Sequence, residues 1–151
     1  MFKNIQKMTV IYLAVIFFVA LDRFLKVFTF ANQASEVNLL GEILKFSYKN
    51  NYYMAFSLPL AGRWLNAIIC LIILLLIYYL VRAWQAGKQE AVIYLLTITM
   101  AAGSNLFDRL KYGFVIDYLD LKYFIVFNLA DAMITVGVFF LLLNVTKKEA
   151  D

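Results

Sequence analysis

Four apolar runs, at residues 8–28, 64–84, 91–107 and 124–145, constrain this chain more than any other feature. A helix of about 20 residues spans a hydrocarbon layer roughly 30 Å thick. Lipid offers no partners to an open backbone, so each run must close its hydrogen bonds internally as a helix. The 64–84 run has no ionisable residue in its middle, and Trp64 and Trp84 at its ends suit the interfacial aromatic belt. Lys3 and Lys7 ahead of the first run give it the look of a signal peptide. No small-residue cleavage site follows, because the run ends in LDRFLKVF, so it reads as a retained first helix. Composition agrees: 64% of the 151 residues are hydrophobic and 16% charged, against about 45–50% apolar in soluble domains. The expectation is a single integral membrane domain over 1–151, an all-α polytopic protein with four transmembrane helices and a small extracytoplasmic β-containing platform.

The platform comes from two extracytoplasmic segments, 31–62 and 110–123. In the first, LKFSYK alternates apolar Leu44, Phe46 and Tyr48 with polar Lys45, Ser47 and Lys49, the period of a half-exposed strand. Asn50 and Asn51 break the pattern, and Pro59 and Gly62 lead back toward the membrane. The second segment is amphipathic and fits a strand or an interfacial stretch equally well. So small a sheet needs the helices to pack against.

Polar residues converge on one end of this layout. Four spans put both termini on one side, so the first and third helices run away from them and the fourth runs back. Asp22 and Lys26 near the end of helix one, Asn105, Asp108 and Arg109 at the exit of helix three, and Asn128 and Asp131 at the start of helix four therefore meet at the opposite face. Asp22 and Lys26 are spaced to pair on one helix face, and Asn105 with Asp108, like Asn128 with Asp131, share a face. Ionisable groups at such depth cost roughly 2.5–3.5 kcal/mol each and are normally partnered and functional. An unpaired Arg109 would be costly here, so a nearby carboxylate partner such as Asp108 is expected.

The available chemistry is narrow. The chain has no His, and its single Cys, Cys70, lies inside an apolar run. That excludes His-ligated metal centres, Ser–His triads, Cys–His pairs and an internal disulfide. The net charge of +4 comes from basic residues scattered singly or in pairs, a pattern of membrane topology rather than of nucleic-acid binding. Lys3, Lys7, Arg82, Lys88, Lys147 and Lys148 flank short segments on the terminal side, which favours cytoplasmic termini.

Asp117, in the re-entry segment, and Asp131, just inside helix four, can face each other at the membrane boundary. Two carboxylates in a partly dehydrated site retain one proton between them and titrate as a unit. Such a pair suits peptide hydrolysis: one carboxylate takes a proton from water while its protonated partner polarises the carbonyl. On the residues alone three readings stand: aspartyl hydrolysis, a small transport or ion-relay protein using Asp22, Asp108 and Asp131, and a structural bundle.

Five ordered strings then carry a resemblance. They are D-x-x-x-K at Asp22 and Lys26, N-x-x-x-A-F at Asn51, Ala55 and Phe56, S-N-L-x-D-R at Ser104–Arg109, G-x-V-x-D-[FY] at Gly113, Val115, Asp117 and Tyr118, and F-N-x-A-D-x-x-I at Phe127–Ile134. In this order and chain length the sequence resembles the prolipoprotein signal peptidases (signal peptidase II), bacterial membrane aspartyl proteases. The resemblance implies that Asp117 and Asp131 are the catalytic pair, surrounded and supported by Asp22, Lys26, Asn51, Asn105, Asp108, Arg109, Asn128 and Ala130. It implies no metal or cofactor. It further implies cleavage of diacylglyceryl-modified prolipoprotein on the N-terminal side of the lipidated Cys, at the outer face of the cytoplasmic membrane. Membrane lipid as surroundings and cyclic peptides such as globomycin as inhibitors follow from the same resemblance. Two departures stand out: Tyr53 replaces a usual Gly, and Ala101-Ala102-Gly103 replaces a tighter glycine pair. They bear on substrate fit and helix packing rather than on reaction type.

Overall fold

The computed structural model describes residues 2–52, 62–123 and 125–150. Helix α1 (Phe2–Ala31) leads into strands β1 (Val37–Leu40) and β2 (Leu44–Asn51); helices α2 (Gly62–Gln85) and α3 (Gln89–Tyr112) follow. Strands β3 (Val115–Leu121) and β4 (Val126–Phe127) then precede helix α4 (Leu129–Ala150). Four helices are long and apolar enough to cross a membrane, over Met8–Ala31, Gly62–Gln85, Gln89–Tyr112 and Leu129–Thr146. This is the expected polytopic helical fold carrying a small antiparallel sheet.

The helices turn large apolar side chains outward, among them Leu13, Phe17, Leu74, Tyr79, Phe139 and Leu142. A soluble protein would bury such bands; here they are the lipid-facing surface. Trp64 and Trp84 sit exposed at opposite ends of α2, as interfacial anchors do.

Helix α3 is the hub, packing against α1, α2 and α4. Around it Val15 of α1, Ala101 of α3 and Ala130 and Met133 of α4 form one buried cluster; a second joins Ala83 of α2 to Val92 and Leu95 of α3. Small residues let the backbones approach closely, which is how membrane helices associate without a hydrophobic driving force. Gly137 of α4 is the tightest example: a Cβ there would lie 2.7 Å from Ile98 Cγ1. Gly137→Leu is expected to cost roughly 1–3 kcal/mol through overpacking, read as a lower unfolding temperature in detergent, with part of the loss recovered by adding Ile98→Ala.

The sheet has the order β1-β2-β3-β4, antiparallel throughout. The alternating LKFSYK stretch is the strand β2, and 110–123 resolves into the last residues of α3 followed by β3 rather than an interfacial segment. α3 thus runs on to Tyr112, past the expected exit at Phe107, because LFDRLKY keeps a helical face against α1 until Gly113 stops it with φ +84°. Helix four starts at Leu129, after β4, where hydropathy alone puts its start at Phe124. Tyr53, Ala55, Phe56, Pro59 and Phe124 lie outside the described residues.

Candidate active site

Gly113 sends the chain from α3 straight into β3, whose first four residues, Val115 to Tyr118, are all buried. Asp117 is therefore carried inward by the central part of the sheet. In the register of β2 with β3, Asn51 stands opposite Val115. Asn51 and Asp117 are then diagonal neighbours on one face, and Asn51 Nδ2 donates to Asp117 Oδ2 at 2.9 Å. Asn128 Nδ2 donates to the other oxygen at 2.7 Å.

Asn128 is also the cap of α4. Its Oδ1 accepts from the Asp131 N–H at 2.9 Å, and Asp131 Oδ2 accepts from the Asn128 N–H at 3.2 Å. This reciprocal pair is a capping box, the polar three-residue spacing that opens a helix. It fixes the Asp131 side chain at the positive end of the helix dipole, leaving Oδ1 to accept from Asn105 Nδ2 at 2.7 Å. A single residue, Asn128, thus holds both carboxylates, that of Asp117 through its side-chain amide and that of Asp131 through its backbone N–H. Asp117 is almost fully buried while Asp131 is half-buried.

Burial is the main influence on Asp117 and the nearby Asp131 charge the next; together they push its pKa from the usual 3.8 to about 7, against the opposing effects of the Asn51 and Asn128 amides and of Lys26. Near neutral pH this carboxyl is therefore poised between its two protonation states.

Beneath the carboxylates lies a second network, enclosed except for Arg23. Lys26 Nζ reaches Asn105 Oδ1 at 2.6 Å, Asp108 Oδ2 at 2.9 Å and Asp22 Oδ2 at 3.1 Å. All three of its donors are thereby satisfied. Asp22 accepts further from Ser104 Oγ at 2.6 Å, from the Tyr118 hydroxyl at 3.1 Å and from the Ala130 N–H at 3.2 Å. Asp108 pairs also with Arg23, whose guanidinium stacks over the Phe107 ring. Two carboxylates and two cations balance, and the side chains of Asp22, Lys26 and Asp108 have no exposed surface. An enclosed charge is tolerable only when paired and hydrogen-bonded in this way.

The structure brings all ten expected residues to this end of the bundle. Ala130 contributes through its size and its backbone: its methyl group packs beside Val15 and Ala101, and its N–H meets Asp22. Arg109 does stand near carboxylates, but Asp108 is taken up chiefly by α1, where Arg23 and Lys26 pair with it. Consecutive helical residues point about 100° apart, so Arg109 turns to the platform instead. Its Nη1 donates to the Tyr52 carbonyl at 3.5 Å, and Asp117 and Asp131 are the strongest charges around it.

Three participants escaped the sequence reading. Arg23 sits beside Asp22 on α1, and its spacing to Lys26 was the available signal. Ser104 and Tyr118 lie within the motif strings, but nothing in their spacing distinguishes a bonded hydroxyl from a packing one. Tyr118 is wholly buried, donates to Asp22 and accepts the Leu129 N–H at 3.0 Å, so it ties β3 to the first turn of α4. Burial and the Asp22 charge raise its phenol well above the usual range, keeping it a neutral donor.

Comparison with known proteins follows the same lines. The family model for signal peptidase (SPase) II matches residues 14–147. The lipoprotein signal peptidase of Caldicellulosiruptor bescii is 37% identical over 120 residues, covering 78% of this chain and 77% of that protein. That of Streptococcus pyogenes serotype M1 is 34% identical over 142 residues, 91% of this chain and 93% of the relative. Two bacterial membrane enzymes solved by the in meso method share the fold. One has a TM-score of 0.79 at 21% identity, over 93% of this chain and 90% of the other; the second has 0.73 at 20%, over 91% and 92%. The extent of the family match, with relatives this similar over most of their own length, establishes that the chain belongs to the signal peptidase (SPase) II family and is a multi-pass membrane hydrolase of the aspartic peptidase class.

Proposed function

We propose that this protein removes the signal peptide from diacylglyceryl-modified prolipoproteins, cutting on the N-terminal side of the lipidated Cys, with Asp117 and Asp131 as the catalytic pair. The observation that carries the reading is the joint suspension of these two carboxylates from Asn128, by its side-chain amide and its backbone N–H, with the pKa of Asp117 raised to about 7 by burial and by Asp131. Near neutrality Asp117 can carry the proton that such a pair shares. The ionised carboxylate takes a proton from a water whose oxygen attacks the scissile carbonyl, while the protonated one donates to the carbonyl oxygen. Collapse of the tetrahedral diol breaks the C–N bond. The proton taken from water passes to the leaving nitrogen, giving a free α-amine on the lipidated Cys and a carboxylate on the signal peptide. Arg109, held by the Tyr52 carbonyl, and Asn51 line the platform side, where a substrate backbone would lie.

A diacylglyceryl anchor holds the scissile bond at the membrane boundary, which is the depth of this pair at the ends of α3 and α4. The favoured orientation has cytoplasmic termini, with Arg82, Lys88 and the terminal lysines on that side and the site at the extracytoplasmic face of the cytoplasmic membrane. Cyclic peptides such as globomycin are expected to compete for the same site. A relay of mobile charges is not favoured, because Asp22 and Asp108, which it would use, are locked to Lys26 and Arg23.

The test is the mass of the products formed from a diacylglyceryl-modified precursor peptide and from its unlipidated twin. A cut immediately before Cys in the lipidated peptide alone is the expected result. Cleavage elsewhere, or equal cleavage of both, would overturn the substrate assignment.

The pH dependence has a definite sign. Between pH 3.8 and about 7 the folded protein keeps a proton on Asp117 that the unfolded chain releases. This group's contribution to stability is therefore full below 3.8 and lost as pH rises through about 7. Cleavage is expected to fall as pH rises through about 7 and the pair loses its shared proton; a rate profile from pH 5 to 9 reads it.

A further inference from the structure

At the end of the bundle remote from the carboxylates, the last turns of α2, the first turns of α3 and the later part of α4 leave a cavity of about 440 Å³. Its walls are apolar, with Ala83, Ala91, Leu95 and Leu141 among them, and Arg82 and Lys88 stand at its edge. Neither cation has a side-chain hydrogen bond or ion pair among the described residues. The nearest carboxylate on α3, Glu90, is occupied by Asn144 Nδ2 at 2.7 Å. Arg82 closes α2 and Lys88 caps α3, so both belong at the depth of lipid headgroups, and Trp84 between them is exposed like an interfacial anchor. Lys147 and Lys148 follow on α4 at the same end.

We propose that this cavity is a binding site for an anionic glycerophospholipid in the leaflet that holds the termini. The phosphate lies between Arg82 and Lys88, and an acyl chain fills the cleft between α2 and α4 along Leu95 and Leu141. Two features select this occupant. An apolar cleft between membrane-spanning helices takes hydrocarbon, and two cations at its edge that are unpaired among the described residues take a net negative charge, the arrangement by which basic pockets between transmembrane helices hold acidic lipids. The cavity shares no residue with the carboxylate site, so its occupancy acts on the packing of α2, α3 and α4 and not on the hydrolytic groups.

The experiment uses the purified full-length protein in neutral detergent, titrated with phosphatidylglycerol, with phosphatidylcholine or with inorganic phosphate, and bound lipid is counted by native mass spectrometry. The expected result is one phosphatidylglycerol retained per chain in preference to phosphatidylcholine, with no displacement by inorganic phosphate. Arg82→Gln with Lys88→Gln should weaken it by about twenty-fivefold, roughly fivefold for each cation. Lys45→Gln with Lys122→Gln, on the sheet, should leave it unchanged. Leu141→Trp should exclude the acyl chain and lower retention of phosphatidylglycerol with both cations intact. Equal retention of the two lipids, unchanged binding in the double Gln variant, or displacement by inorganic phosphate would each overturn the proposal. Cleavage by the double Gln variant should match wild type, so loss of the lipid effect and loss of the proposed activity are read separately.

Discussion

Cleavage of a diacylglyceryl-modified precursor by purified protein is expected to fall by at least about a thousandfold when either Asp117 or Asp131 is changed to Asn. Acid–base groups of this kind contribute roughly 10²–10⁴ each, and here neither can act without the other. Groups that work as one unit are not additive, so the double variant should be no worse than either single one. Stability should move the other way for Asp117→Asn. At pH 8 the wild-type carboxylate is ionised in a buried place that raised its pKa to about 7; the neutral amide removes that cost, and the Asn51 amide can rotate to offer its oxygen. An inactive variant at least as stable as wild type at pH 8 is the expected pairing, read from cleavage and thermal unfolding on the same preparation. Retained cleavage in either single variant would remove the pair from the mechanism.

Lys26→Met is expected to be the most damaging change to the fold. Lys26 has no exposed surface and bonds Asp22, Asp108 and Asn105, on two helices. Methionine matches its length and leaves two carboxylates with only Arg23 to balance them. Breaking one side of a buried pair costs about 3–5 kcal/mol, chiefly from the stranded charge. Adding Asp22→Asn should therefore return a large part of the loss, since it removes the charge left over. Activity should fall further than stability explains. Asn105 Oδ1 loses its anchor at Lys26, and the same amide positions Asp131 through Nδ2. Thermal unfolding and cleavage of the single and double variants separate these effects; equal instability of both would show that packing, not charge, is at issue.

The helices were readable because lipid leaves an apolar run of that length no other conformation, and β2 because Leu44, Phe46 and Tyr48 alternate with polar residues. β1 was not. Val37-Asn38-Leu39-Leu40 has no alternation, and it is a strand only because it can pair with Leu44–Phe46. The start of α4 was misplaced by hydropathy because Phe124–Phe127 is as apolar as the helix itself. The true signal was Asn128 three residues before Asp131, a polar spacing that opens a helix whatever precedes it. Around the carboxylates, spacing showed which residues share a face but not which way the face points. Asp108 and Arg109 are neighbours in sequence and look like a pair, yet one faces α1 and the other the platform. Arg23 went unnoticed for the converse reason. Its partner is 85 positions away on α3, and only the packing of the two helices joins them.

The division of the proposed pair between β3 and α4 sets the order in which the enzyme comes into being. When α1, α2 and α3 have entered the bilayer and β3 has emerged, Asp117 is present with Asn51 but without Asn128 or Asp131. Asp22 at that stage still lacks the Ala130 N–H, and the Tyr118 hydroxyl lacks the Leu129 N–H that it accepts in the finished fold. Insertion of α4 supplies these partners together with the second carboxylate. A chain stalled during synthesis before that step therefore lacks half of the proposed pair, and it presents unfilled polar groups inside the membrane.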